Sequence, residues 1–130
     1  MDDLHSASER GDMAEVRQLV KRGDDLNAQD GNCKTPLHYA VIRGRLEIVK
    51  FLVESGADKE AMNNEDSTPL HVAVSEGYLE IVKFLVENGA DKEAKTIANQ
   101  TPLHHAANKR AGTTFDWTIF DNSKLIDFDC

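Results

Sequence analysis

Thr35-Pro36-Leu37-His38 recurs as Thr68-Pro69-Leu70-His71 and again as Thr101-Pro102-Leu103-His104, each copy 33 residues after the one before. Three copies in one register, with their surroundings, make the chain an array of one unit. Each unit of such an array buries its apolar face against its neighbours, so 130 residues need no single large core.

The clearest unit is 35–67. Thr35 suits a helix N-cap, and Pro36 suits the first helical position, where its missing N–H is not needed. A short helix is expected to about Arg43, broken by Gly44. A second helix is expected from Leu46 to Glu54, because Leu46, Val49, Leu52 and Val53 share one face at helical spacing. Ile48 and Phe51 widen that face, so it needs cover from the units before and after it. Glu47, Lys50 and Glu54 occupy the remaining, solvated face. Gly56 suits a left-handed helix end, and a polar loop runs from Met62 to Ser67. Residues 68–100 copy this unit at about two-thirds of positions, with Leu79–Glu87 identical to Leu46–Glu54.

The two ends of the array are atypical, as terminal repeats are. Residues 2–34 form an eroded first unit, in which Asp2-Asp3 replaces the Thr-Pro pair and carboxylates cap the helix start. A fourth, partial unit spans 101–111. Residues 112–130 carry no repeat signal, although Phe115, Trp117 and Ile119 alternate as in a strand. This tail has three readings: an improvised cap over the last unit, an acidic-aromatic segment that binds a partner or stays mobile, or the non-repeat ending of a shortened array. The division expected is a repeat domain over 1–111 and a tail over 112–130.

Composition narrows the function. The net charge is −8, which opposes nucleic acid as the main ligand, since phosphate contacts need clustered Lys and Arg. It tolerates a basic protein partner. Cys33 and Cys130 make no disulfide framework and no Cys-x-x-Cys pair, so free thiols in a reducing compartment are expected. The start, Met-Asp-Asp-Leu-His, lacks the basic and apolar regions of an ordinary secretory signal. No apolar stretch approaches the roughly 20 residues that cross a bilayer. The expected location is cytoplasmic or nuclear; delivery into a host cell is compatible with the sequence and not readable from it.

Thr-Pro-Leu-His-x-Ala, Gly-x-Leu-Glu-Ile-Val-Lys-x-Leu and Gly-Ala-Asp on a 33-residue period resemble the ankyrin repeat. The resemblance covers about residues 2–109. It implies an all-α solenoid of antiparallel helix pairs with hairpin-like loops projecting to one side, and a protein-binding role rather than catalysis. It also implies that Thr35/His38, Thr68/His71 and Thr101/His104 exchange hydrogen bonds that hold each helix start. Two departures stand out. The family carries an apolar residue and then Asn after Gly-Ala-Asp, where this chain has Lys59-Glu60 and Lys92-Glu93. Its usual loop Gly is Cys33, Asp66 or Asn99.

His38, His71 and His104 invite a metal or catalytic reading. Equivalent residues in successive units lie on the order of 10 Å apart, too far to share a zinc ion bound at about 2.1 Å. No nucleophile–base pair, phosphate loop or metal-spaced Cys/His set is present. No enzyme activity, cofactor or metal is therefore expected.

The informative positions are those where units 35–67 and 68–100 differ: 39/72, 42/75, 43/76, 45/78, 55/88 and the loop 62–67/95–100. In the resembled family, first-helix positions and loop tips line the binding face. The candidate partner-binding set is thus Ile42, Arg43, Arg45, Glu76 and Tyr78, with Asn32, Lys34, Asn64 and Glu65 from the loops. Tyr78 and Arg43 are the leading anchors, as Tyr and Arg are enriched in hot spots. The function expected is a scaffold, adaptor or inhibitor binding a protein whose identity the sequence does not give. The alternative is an incomplete or purely structural array that acts through self-association or within a longer assembly. A monomer is expected, with end-to-end association through the C-terminal end as the variant of that alternative.

Overall fold

A computed structural model of the chain describes residues 3–96 and Thr101. Pro102, His104, the rest of the fourth unit and the tail lie outside the described residues. Within them are six helices and no strand: α1 (Leu4–Arg10), α2 (Met13–Arg22), α3 (Pro36–Ile42), α4 (Leu46–Glu54), α5 (Pro69–Glu76) and α6 (Leu79–Glu87). Each unit contributes a pair. First helices stack as α1 on α3 on α5, and second helices as α2 on α4 on α6.

Local chemistry sets the helix starts. Thr35 is extended, its hydroxyl accepts the His38 N–H, and Pro36 follows at the first turn. Thr68 and Pro69 repeat the arrangement with His71. In the first unit Asp3 takes over, accepting the Ser6 N–H at 2.9 Å. Capping of this kind stabilises a helix by about 1 kcal/mol.

Packing follows the repeat. Leu37, Ala40 and Val41 are fully buried, and so are their counterparts Leu70, Ala73 and Val74. Ile48, Val49 and Leu52 are matched by Ile81, Val82 and Leu85 on α6. Leu4, Ala7, Val16 and Leu19 continue the same core into the first unit. Each buried Leu or Ile stabilises by roughly 1.5–3 kcal/mol, so helices of seven to ten residues, too short to persist alone, are held by their neighbours.

Polar ties join unit to unit. His38 Nε2–H donates to the carbonyl of Ser67, 3.1 Å away, the residue just before Thr68, which caps the first helix of the following unit. His5, one unit earlier, lies 3.0 Å from the Lys34 carbonyl and 2.9 Å from that of Ala28. The loops are tied as well, by the Asn64 N–H to the Asn32 carbonyl at 3.0 Å. Each loop is closed internally by one side chain: Asp30 accepts the N–H groups of Asn32 and Lys34, and Asn63 those of Glu65 and Ser67. Cys33 (φ 62°) and Asp66 (φ 59°) occupy the left-handed positions that glycine would fill at lower cost.

One core position breaks the pattern. Ser8 stands where the next units have Val41 and Val74; it is fully buried, and its hydroxyl has no hydrogen-bond partner among the described residues. An unmatched buried hydroxyl costs about 1–3 kcal/mol. Ser8→Val is expected to stabilise the fold by about 1–2 kcal/mol, read as a higher urea midpoint. An unchanged or lower midpoint would mean that the hydroxyl is satisfied or that the first unit has no room for two methyl groups.

Candidate functional site

A groove of about 510 Å³ lies between the loop tips 32–34 and 63–67 and the helices α3 and α5. Asn32, Lys34, Ile42, Asn64, Glu65 and Glu76 all line it, with Val72, Ser75 and Asn63. Six of the nine partner-binding candidates are thus brought together. Ile42 and Val72 are half-buried on its helical side, while Asn32, Asn64, Glu65 and Glu76 are exposed.

The other three candidates sit elsewhere. Arg43 and Arg45 border a second depression with Ser6, Glu9 and Arg10. Arg43 holds Glu9 through two hydrogen bonds of 2.8 and 3.0 Å. Its side chain is 56% exposed, so the pair adds at most about 1 kcal/mol. Arg45 Nε–H donates to the Glu9 carbonyl at 3.1 Å and lies across Gly11. Tyr78, one unit on, donates its hydroxyl to the equivalent carbonyl, Ile42, at 3.3 Å, and its ring lies across Gly44.

The two glycines are needed for space as well as for backbone. A Cβ on Gly44 would stand 3.0 Å from the Tyr78 ring, and one on Gly11 would stand 2.8 Å from Arg45 Nε. Both have positive φ, 69° and 81°. Positions 45 and 78 therefore do one packing job with different side chains.

Sequence reasoning missed two further features. Tyr39 donates its hydroxyl to Asp30; this bond holds the Asp30 carboxyl at about 2 and pushes the Tyr39 phenol up to about 12. The His5 ring meets Tyr39 edge-on at 5.6 Å, and Lys34 Nζ lies 5.7 Å from the Tyr39 ring centre. The cluster rigidifies the first loop below the groove. The second feature is a brace between loops. Asn27 Oδ1 accepts the Asp58 N–H at 2.7 Å, and Glu60 accepts the Asp91 N–H at 2.9 Å one unit later. The signal available for the brace was the 33-residue alignment, which puts Glu60 under Asn27.

The histidines are committed to the stack. Nδ1 of His38 accepts the Thr35 N–H at 3.1 Å while Nε2–H is held by Ser67. Nδ1 of His71 accepts the Thr68 N–H at the same distance. Burial depresses the His38 pKa below its ordinary value. Thr101 is buried, and its expected partner His104 lies outside the described residues. Among those residues no group of His, Cys, Asp and Glu has the arrangement to hold a metal ion, and no helix is long and apolar enough to cross a membrane.

A protein-family model described as ankyrin repeats, in three copies, matches residues 4–96. No curated protein matches the chain.

Glu60 provides a pH test of the loop brace. Burial, opposed in part by the Asp91 N–H and reinforced by the Asp91 charge, raises its pKa above 4.5. A carboxyl raised in the fold contributes stability that is full below the unfolded value and lost as pH rises through the folded one. At pH 7 the charged form is thus a small net cost, whereas a glutamine would keep the oxygen that holds Asp91. Glu60→Gln is expected to melt at a higher temperature than wild type at pH 7, with the gap closing towards pH 4. A lower melting temperature at pH 7 would show that the charge strengthens the brace by more than burial costs.

Proposed function

The chain belongs to the ankyrin repeat family, whose members are generally protein–protein interaction modules and typically non-enzymatic, and we propose that this array is a scaffold that holds a partner protein in the groove of its second and third units. In this reading it acts as an adaptor or inhibitor. The observation that carries this reading is the convergence of Asn32, Lys34, Ile42, Asn64, Glu65 and Glu76 on one depression. These residues come from positions that change between units whose packing residues do not change.

The groove also has the chemical mix of a recognition surface. Two aliphatic side chains supply area, and asparagine amides and three charged groups supply direction. Arg45 and Tyr78 support it from outside, by fixing how consecutive units sit on each other. Arg43 is held by Glu9 and borders the groove's neighbour rather than the groove.

Affinity capture from a lysate tests this, with three baits compared: wild type, a groove variant (Ile42→Asp with Glu76→Lys) and a back-face variant (Glu47→Lys with Glu80→Lys). A protein retained by the wild type and the back-face variant, and lost at least tenfold with the groove variant, is the expected result. A partner retained equally by the groove variant would move the binding face elsewhere.

A further inference from the structure

The two junctions between described units are built alike but finished differently. At the first, α1 offers Glu9 and the C-cap of α3 offers Arg43, and the two form an ion pair at 2.8 Å. At the second, the equivalent places hold Ile42 on α3 and Glu76 on α5. The carboxylate has changed sides, and an aliphatic residue stands where its cation would have to be. The polar pair Tyr39 and Asp30 at the first junction is likewise replaced by Val72 and Asn63 at the second.

The chain thus pairs the Glu9 carboxylate at its first junction with its own Arg43, although a depression remains there, and leaves the carboxylates of the second without a paired cation among the described residues. Glu76 and Glu65 are exposed, and neither carboxylate is ion-paired among the described residues. Lys34, the cation lining the groove, stands over the Tyr39 ring. The balance of lining charge is negative, on a chain whose net charge is −8.

We infer that the second junction receives an extended segment of a partner protein that carries Lys or Arg beside an aliphatic residue. The cation takes, on Glu76 and Glu65, the role that Arg43 plays on Glu9. The aliphatic side chain covers Ile42 and Val72, whose half-buried surfaces lie on the helical side of the groove. The amides of Asn32 and Asn64 stand at the loop tips, where they can bond the segment's backbone. A segment with an acidic residue in the same place would face two carboxylates, and like charges of that kind are strongly excluded. This inference rests on the groove being the protein-binding face and adds the chemistry of what binds there.

The test uses the full chain as bait for a phage-displayed library of random peptides. Selected peptides are resynthesised with a fluorescein label. Their affinities are measured by anisotropy against wild type, Glu65→Gln with Glu76→Gln, Ile42→Asn, and Glu47→Gln as a back-face control. Circular dichroism checks that each variant is folded. The expected peptides pair Lys or Arg with Leu, Ile or Val. The double glutamine variant is expected to bind them about tenfold more weakly, with a further loss between low and high salt for the wild type only. Peptides that lack a basic residue but still depend on Ile42 would overturn the inference and leave the groove as the binding face. Peptides indifferent to Ile42 and to both carboxylates, or an empty selection, would overturn the two together.

Discussion

The buried hydrogen bond from His38 to the Ser67 carbonyl is the interaction on which the stack depends. A carbonyl can only accept, so Nε2 carries the proton. Nδ1 is then the acceptor for the Thr35 N–H, and the imidazole is neutral. A second proton would set donor against donor at Thr35 and place a charge in a site with no solvent access. His38 thereby fixes the start of its own helix and the approach of the next unit at once. His5 makes the equivalent bond to Lys34, using Asp3 in place of Thr at the cap. The residue of the motif that looks most reactive is the one least free to react.

Around that tie, what recurs is the job at each position more than the residue type. Arg45 and Tyr78 share no chemistry beyond a donor and a flat end, yet both cover a glycine and bond the same carbonyl of the preceding unit. Asn27 and Glu60 share only an oxygen within reach of the next loop's N–H. A position that varies between units is therefore not automatically surface open to a partner. Once the varying positions engaged in packing or pairing are set aside, Ile42, Asn64, Glu65, Val72, Ser75 and Glu76 remain along one groove, whereas Ser55, Met62 and Lys95 do not line it.

The fold was legible because its signals are local. Thr before Pro, glycine at a helix end and apolar spacing on α4 and α6 each act within one or two turns, and the helices fall where those residues put them. The stack of helix pairs was implied by the resemblance to the ankyrin repeat, which the motif and its 33-residue period carry. Less was legible of the site. Tyr78 and Arg43 were favoured by residue type, but their surroundings come from residues 34 to 36 positions away in another unit, which no local pattern reports. The bond from His38 to Ser67, 29 residues on at the threshold of the next unit, is likewise beyond any local pattern. Ser8 and Glu60 were different: their misfit was already visible once 33 residues were added or subtracted, as Ser8 falls under Val41 and Glu60 under Asn27. What required structure was the consequence, a hydroxyl with no partner in one case and a working substitute in the other.

His38 is thus a neutral structural tie. A nitrogen-15 NMR titration of His38 in the folded chain tests it most directly. The expected result is the Nε2–H tautomer and a midpoint below 6.5, because burial opposes the charged form. An Nδ1–H tautomer would mean that Nε2 does not donate to Ser67, and a midpoint at or above 6.5 that burial does not disfavour the charged ring; either result would overturn the tie.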